Sequence, residues 1–160
     1  MFNNTIKIIP AEYEDAENIS LIVKTVGLQN IKTPPENQKQ SWLEWASKKE
    51  TIQERLNNNA VTTLIAINEG TPTGTGYIKL SEGKAYIGAI YIMPEHQKQQ
   101  IGTAILSQLL STVELNSSIE AQISQENIPS KKLFTKHGFR YSSASPSQFF
   151  TPTIWELWVK

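Results

Sequence analysis

At 160 residues, with 15 basic and 15 acidic side chains, the chain has the length of one domain with its own core and carries no formal net charge. That balance argues against a nucleic-acid partner, which needs a basic face, and the absence of cysteine removes disulfides, a thiolate nucleophile and Cys-held metals. The N-terminus lacks a signal-peptide pattern and no apolar run approaches the roughly 20 residues that span a bilayer, so a cytoplasmic protein without a membrane partner is expected.

Thr5–Ile9 is predicted as a short strand stopped by Pro10. An amphipathic helix follows over Ala16–Val26, with Ile19, Ile22, Val23 and Val26 on one stripe. Thr33-Pro34-Pro35 breaks the chain, and Asn37–Leu56 reads as one helix with Trp42, Trp45, Ala46, Ile52 and Leu56 on one face, expected to pack on the core. The period then shortens. Val61–Ile67 is a strand, Asn68–Gly74 a turn rich in Gly, Thr and Pro, Thr75–Leu80 a strand, Ser81–Lys84 a hairpin turn, and Ala85–Met93 a third strand. Gly88 inside that strand points to a bulge or a close backbone approach. Ile101–Leu115 is predicted helical and is apolar over most of its circumference, so it should lie against a sheet. Ile119–Ile123 is a strand, Ser130–His137 a helix, Phe139–Tyr141 a strand, Ser142–Pro152 a long loop holding Phe149 and Phe150, and Ile154–Val159 a closing strand.

Two stretches carry the chemistry. In Ile90–Leu106 a β-rich run stops at Pro94, a polar loop follows, and Gly102-Thr103-Ala104 opens an apolar helix. The first turn of a helix has spare N–H donors and a partial positive charge, which suits phosphates. In Asn127–Phe139 a short helix closes on Gly138 and hands over to an aromatic residue. Asn127 fits two roles, an N-cap or a ligand contact, and one residue can fill both. His137 suits the C-terminal turn of its helix, and His96 reads as a loop residue.

Together these stretches resemble the GNAT superfamily of acyl-CoA-dependent N-acyltransferases. The family's pyrophosphate loop, Gln/Arg-x-x-Gly-x-Gly/Ala after a strand that ends in proline, is matched by Gln97 and Gly102, with Gln100 where the first glycine is usual. The later pattern, Asn-x-x-(small)-x-x-Leu-Tyr-x-x-x-Gly-Phe, is met by Asn127, Ser130, Leu133, Gly138 and Phe139, with Phe134 in place of the tyrosine. The resemblance implies one α/β domain over residues 1–160, with a mixed, mostly antiparallel central sheet and helices on both faces. It also implies acetyl-CoA as co-substrate, in a cleft where the parallel strands Ala85–Met93 and Ile119–Ile123 splay apart. The pantetheine arm would pair near Ile92, and the pyrophosphate would sit on the amides of Lys98, Gln99, Gln100, Ile101, Gly102 and Thr103, after Gln97. Asn127 would reach the cofactor, and Phe134 would pack near the sulfur. Gln100 weakens this site only if its backbone needs a positive φ.

The implied reaction is acetyl transfer to a primary amine, small-molecule or peptide, by direct attack in a ternary complex. The alternative is a non-catalytic acyl-CoA sensor or scaffold. An oxyanion donor is expected from the backbone around Ala89–Tyr91. No base or acid is assigned: Gly88 and Ala89 lie where many relatives carry a glutamate, Phe134 cannot donate a proton, and Tyr86, Glu82, Glu12, Glu14 or water remain as bases. The acidic cluster Glu12, Glu14, Asp15 and Glu17 fits a helix dipole, or a cationic acceptor. The resemblance also allows the helix that carries Trp42 and Trp45 to border the acceptor, beside the core role that its stripe suggests. Trp155 and Trp158 fall on opposite strand faces, one for the core and one for a cleft or a homodimer surface.

Overall fold

The computed structural model describes residues 6–146 and 154–160. Seven strands form one sheet in the order β1-β2-β3-β4-β5-β7-β6. They are β1 (Lys7–Pro10), β2 (Val61–Asn68), β3 (Thr71–Ser81), β4 (Lys84–Ile92), β5 (Ser118–Ser124), β6 (Arg140–Pro146) and β7 (Ile154–Val159), and the helices are α1 (Ala16–Val26), α2 (Glu36–Ala46), α3 (Lys49–Leu56), α4 (Ile101–Leu110) and α5 (Ile128–Lys136). Every neighbouring pair is antiparallel except β4–β5. Strand alternation puts Leu64 and Ala66 of β2 in a core with Ile101, Ile105, Leu106 and Leu109 of α4, while Ile65 between them joins Ile19 and Val23 of α1. Helices therefore cover both faces, and each fully buried Leu or Ile contributes about 1.5–3 kcal/mol of transfer free energy.

Helix α1 and strand β7 fall on the residues the pattern predicts. Other elements differ for identifiable reasons. Pro10 does not stop β1; it pairs with Leu64, which an edge strand tolerates. The helix expected over Asn37–Leu56 is two, parted at Ser47–Lys48, where Lys48 is extended and the buried Ser47 carbonyl accepts the Ser20 hydroxyl of α1. The turn expected over Asn68–Gly74 shrinks to Glu69-Gly70, both at positive φ, and β3 runs through Pro72 and Gly74. Gly74 serves packing there, since a Cβ would lie 2.7 Å from the Ile92 side chain. Helix α4 ends at Leu110, α5 begins at Ile128 with Pro129 in its first turn, and β6 takes in residues 142–146 of the expected loop. Phe149 and Phe150 lie outside the described residues.

Candidate active site

The parallel pair β4–β5 is in register from Lys84↔Ser118 to Ile87↔Ala121 and no further, although both strands continue. β4 turns away through a bulge: Tyr77 of β3 faces Gly88 and Thr75 faces Tyr91, so Ala89 and Ile90 together stand opposite Gly76, and Ala89 takes φ 52°. The bulge sits one residue beyond Gly88. Gly88 instead provides the close approach, because a Cβ there would lie 2.5 Å from both Cζ and Oη of Tyr77.

Beyond the divergence lies a cleft of about 530 Å³. Ile92, Gln97, Lys98, Gln100, Ile101, Gly102, Thr103 and Asn127 line it, all named from sequence. The first helical bond of α4 runs from Ala104 N–H to the Gln100 carbonyl, so the amides of Ile101–Thr103 have no partner within the helix. Lys98 and Gln100 both adopt a φ of 63°, so the loop does need the left-handed conformation that glutamine disfavours. Gln97 acts through its side chain: Nε2 donates to the Ile92 carbonyl at 3.0 Å and to Gln29 Oε1 at 2.7 Å, tying the loop to β4 and to the α1–α2 segment. Gln99 does not line the cleft; its side-chain Nε2 donates back to the Glu95 carbonyl at 3.1 Å. Asn127 caps α5, its Oδ1 accepting from Ser130 N–H at 3.2 Å. Lys132 and Lys136 join Lys98 on the walls, and no carboxylate lines the cleft among the described residues. Spacing alone could not single out these two α5 lysines, since a charged residue on a short helix reads as solvated surface.

A second chamber of about 240 Å³ adjoins the first, and Gly27, Ile31, Ile90, Tyr91, Asn127 and Ser130 line both. Phe134 belongs to this chamber, buried and edge-on to Phe139 with ring centroids 4.9 Å apart. Trp42 and Trp45 line it too, where core packing was expected, and Trp45 is 51% exposed. Trp155 faces the chamber while Trp158 packs against the core, as strand alternation requires. Arg55 of α3 reaches in, its Cζ 4.5 Å from the centre of the Tyr77 ring. Burial pushes the phenols of Tyr77, Tyr86 and Tyr91 above their ordinary pKa, so they are donors and not bases at neutral pH. Of the side-chain bases considered from sequence only Tyr86 lies here; Glu12, Glu14 and Glu82 do not, and in the acidic cluster Glu12 N–H donates to Asp15 Oδ2 at 2.8 Å while Glu17 pairs with Lys49 at 3.5 Å.

Glu126, unremarked in the sequence, holds the α1–α2 segment from the other side. Its Oε2 accepts from Lys32 N–H at 2.9 Å and Thr33 N–H at 3.1 Å, and bonding to the Thr33 side chain and these amides holds its carboxyl below the usual range. His137 is structural, its ring joining the Leu133 carbonyl to Ser107 of α4.

Strands thus part beside an amide-rich helix start, with lysines on the walls and a second chamber at the point of divergence. Residues 27–139 match the model of the Acetyltransferase (GNAT) family, and the chain belongs to that family. No curated protein matches the sequence. Among solved structures, the paiA N-acetyltransferase from Thermoplasma acidophilum in complex with coenzyme A superposes with a TM-score of 0.78 at 19% identity, over 95% of this chain and 98% of its own. The protein yncA from Salmonella typhimurium with its cofactor acetyl-CoA gives 0.70 at 19%, over 98% and 94%. The ribosomal-protein-S18-alanine N-acetyltransferase from Escherichia coli gives 0.70 at 14%, over 97% and 92%. At these identities the likeness speaks for the fold.

Proposed function

We propose that this protein transfers an acetyl group from acetyl-CoA to a primary amine by direct attack in a ternary complex, in the cytoplasm, with the donor in the larger cleft and the amine in the second chamber. The observation that carries this reading is the junction. Both spaces meet at Ile90 and Tyr91, on the bulge where β4 leaves β5.

The residues present suit the donor. The amides of Lys98 and of Gln100 through Thr103, with Lys98, Lys132 and Lys136 around them, offer N–H donors and positive charge to a pyrophosphate. The free side of β4 beyond Ile87 offers main-chain groups to an extended pantetheine arm, although the Ile92 carbonyl already accepts from Gln97. Bound acetyl-CoA supplies an activated acetyl carbonyl and a thiolate leaving group. The bulge at Ala89–Tyr91 would supply an N–H to the oxygen that gains charge as the C–N bond forms and the C–S bond breaks. No carboxylate lines the chamber among the described residues and its phenols stay protonated, so the amine must arrive neutral or lose its proton to water. Phe134 offers no proton to the departing thiolate, which is a fair leaving group with a pKa of about 8.5 in the comparable cysteine thiol.

The missing acid at Phe134 and the missing carboxylate favour a second reading, a donor-binding module without turnover. Calorimetric titration with acetyl-CoA followed by an assay for amine-dependent CoA release separates the two. Saturable binding with turnover supports the transferase, binding without turnover on a broad amine panel supports the sensor, and no binding by folded protein refutes both. Gly102→Glu provides the site control. A Cβ there meets nothing nearer than 3.5 Å, so the fold should persist while the new carboxylate, set among the lysines, abolishes acetyl-CoA binding.

A further inference from the structure

The second chamber has a chemical character of its own, and that character bears on the acceptor. Its walls are flat and apolar where Trp42, Trp155, Tyr86 and Tyr91 line it. The formal charge among its lining residues is the guanidinium of Arg55. Its Cζ stands over the Tyr77 ring, 4.5 Å from the ring centre, so the phenol packs against the guanidinium. Arg55 Nε is buried and has no hydrogen-bond partner. Burial disfavours the charged form of Arg55, and the neighbouring Tyr77 and Tyr91 phenols, held neutral by burial, supply no counter-charge. A partly buried guanidinium stays protonated, and its buried Nε–H is costly to leave without an acceptor.

No Asp or Glu lines the chamber among the described residues, and the sequence has none at positions 1–5 or 147–153. A polycationic amine would find a cation there and no anion. A carboxylate would match the fork of the guanidinium with paired N–H bonds.

We propose that the acceptor is a small primary amine that also carries a carboxylate and a flat apolar body, an aromatic amino acid or a close analogue, with its carboxylate paired to Arg55. This rests on the acetyl-transfer reading above. The aromatic walls take the body of the molecule, and Arg55 fixes its acid end. The amine is left to face the junction at Ile90 and Tyr91. Gly88 is part of this arrangement, because its missing side chain is what lets Tyr77 lie beneath the guanidinium.

The test compares acceptors that differ by one group on the full chain with saturating acetyl-CoA, reading CoA release. The pairs are free tryptophan against tryptamine and free phenylalanine against phenethylamine, with spermidine as the polycation. Acetyl-CoA affinity is measured by calorimetry on the same preparations. The acids should exceed their decarboxylated partners in kcat/KM by about tenfold to a hundredfold, the range of a hydrogen bond to a charged group. Arg55→Met should bring that ratio towards one, and Arg55→Lys should keep part of it, in protein that still binds acetyl-CoA. Equal or better turnover of tryptamine, phenethylamine or spermidine overturns the proposal. So does a ratio that survives Arg55→Met, or donor binding without turnover of any of the five. Failure of wild-type protein to bind acetyl-CoA overturns the transferase reading itself and this inference with it.

Discussion

Replacing Gly88 with alanine asks whether the second chamber depends on an absent side chain. Gly88 is not among the positive-φ residues, so its backbone accepts any L-residue, and removing glycine from a strand ordinarily stabilises by about 0.5–1 kcal/mol. Here the new methyl would lie 2.5 Å from Cζ and Oη of Tyr77. Pushing that ring aside is an overpacking event costing about 1–3 kcal/mol. It also separates the ring from Arg55, which costs about 0.5–2 kcal/mol more. The net expectation is a loss of about 0.5–4.5 kcal/mol, set against that intrinsic gain. With Tyr77→Ala in the background the obstacle is gone, and Gly88→Ala should become neutral or stabilising by up to about 1 kcal/mol. Urea unfolding of the four proteins gives the coupling directly as a double-mutant cycle. An equal cost in both backgrounds would refute the contact and, with it, the account of why this position is glycine.

Gln100→Gly should relieve left-handed strain of about 1–2 kcal/mol while adding about 0.4–1 kcal/mol of unfolded-chain entropy, so a modest rise in Tm is expected; a fall would show that the glutamine side chain contributes more than its strain costs. Phe134→Tyr, in an assay with a working acceptor, should raise turnover within the 10²–10⁴-fold range of general acid catalysis, and an unchanged rate would show that thiolate departure does not limit the reaction. The Glu126 carboxyl is held below its unfolded value by the Thr33 and Lys32 groups it accepts from, so the unfolded state binds more protons in that window. Its contribution is complete above the unfolded pKa and is lost as pH falls through the folded one. Acid unfolding of Glu126→Gln should therefore be flatter below about pH 4.5 than wild type, and superimposable curves would sink the assignment.

Much of the architecture was legible because it is local. The apolar stripe of α1 and the alternation in β7 fixed those elements residue for residue. Most residues named on the larger cleft do line it, because a helix start is a backbone property that a glycine and its neighbours announce. What escaped depends on distant partners. Ser47 breaks a periodic helix in order to meet Ser20, and Gly74 and Pro72 look like a turn until Ile92 is seen beside them. The stripe holding Trp42 and Trp45 was visible, but periodicity says which residues share a face, not whether a core or a cavity lies opposite. Arg55 carried no signal at all; its significance comes from Tyr77, which lies under it only because position 88 is empty.

The segment between α1 and α2 is anchored from two directions, at Gln29 by the loop before α4 and at Lys32 and Thr33 by the turn before α5. Its flanks, Gly27 and Ile31, are walls common to both spaces. On the proposed assignment of donor and amine to the two spaces, a partition shared in this way makes the two ligands thermodynamic neighbours. Any change that donor occupancy makes in the affinity for the amine must be returned in equal measure by the amine, because linkage between binding free energies is reciprocal. Selectivity for the acceptor is then a property of the whole enclosure, and a substitution at Gln29 or Glu126, remote from the reacting atoms, would be felt on both sides of the partition.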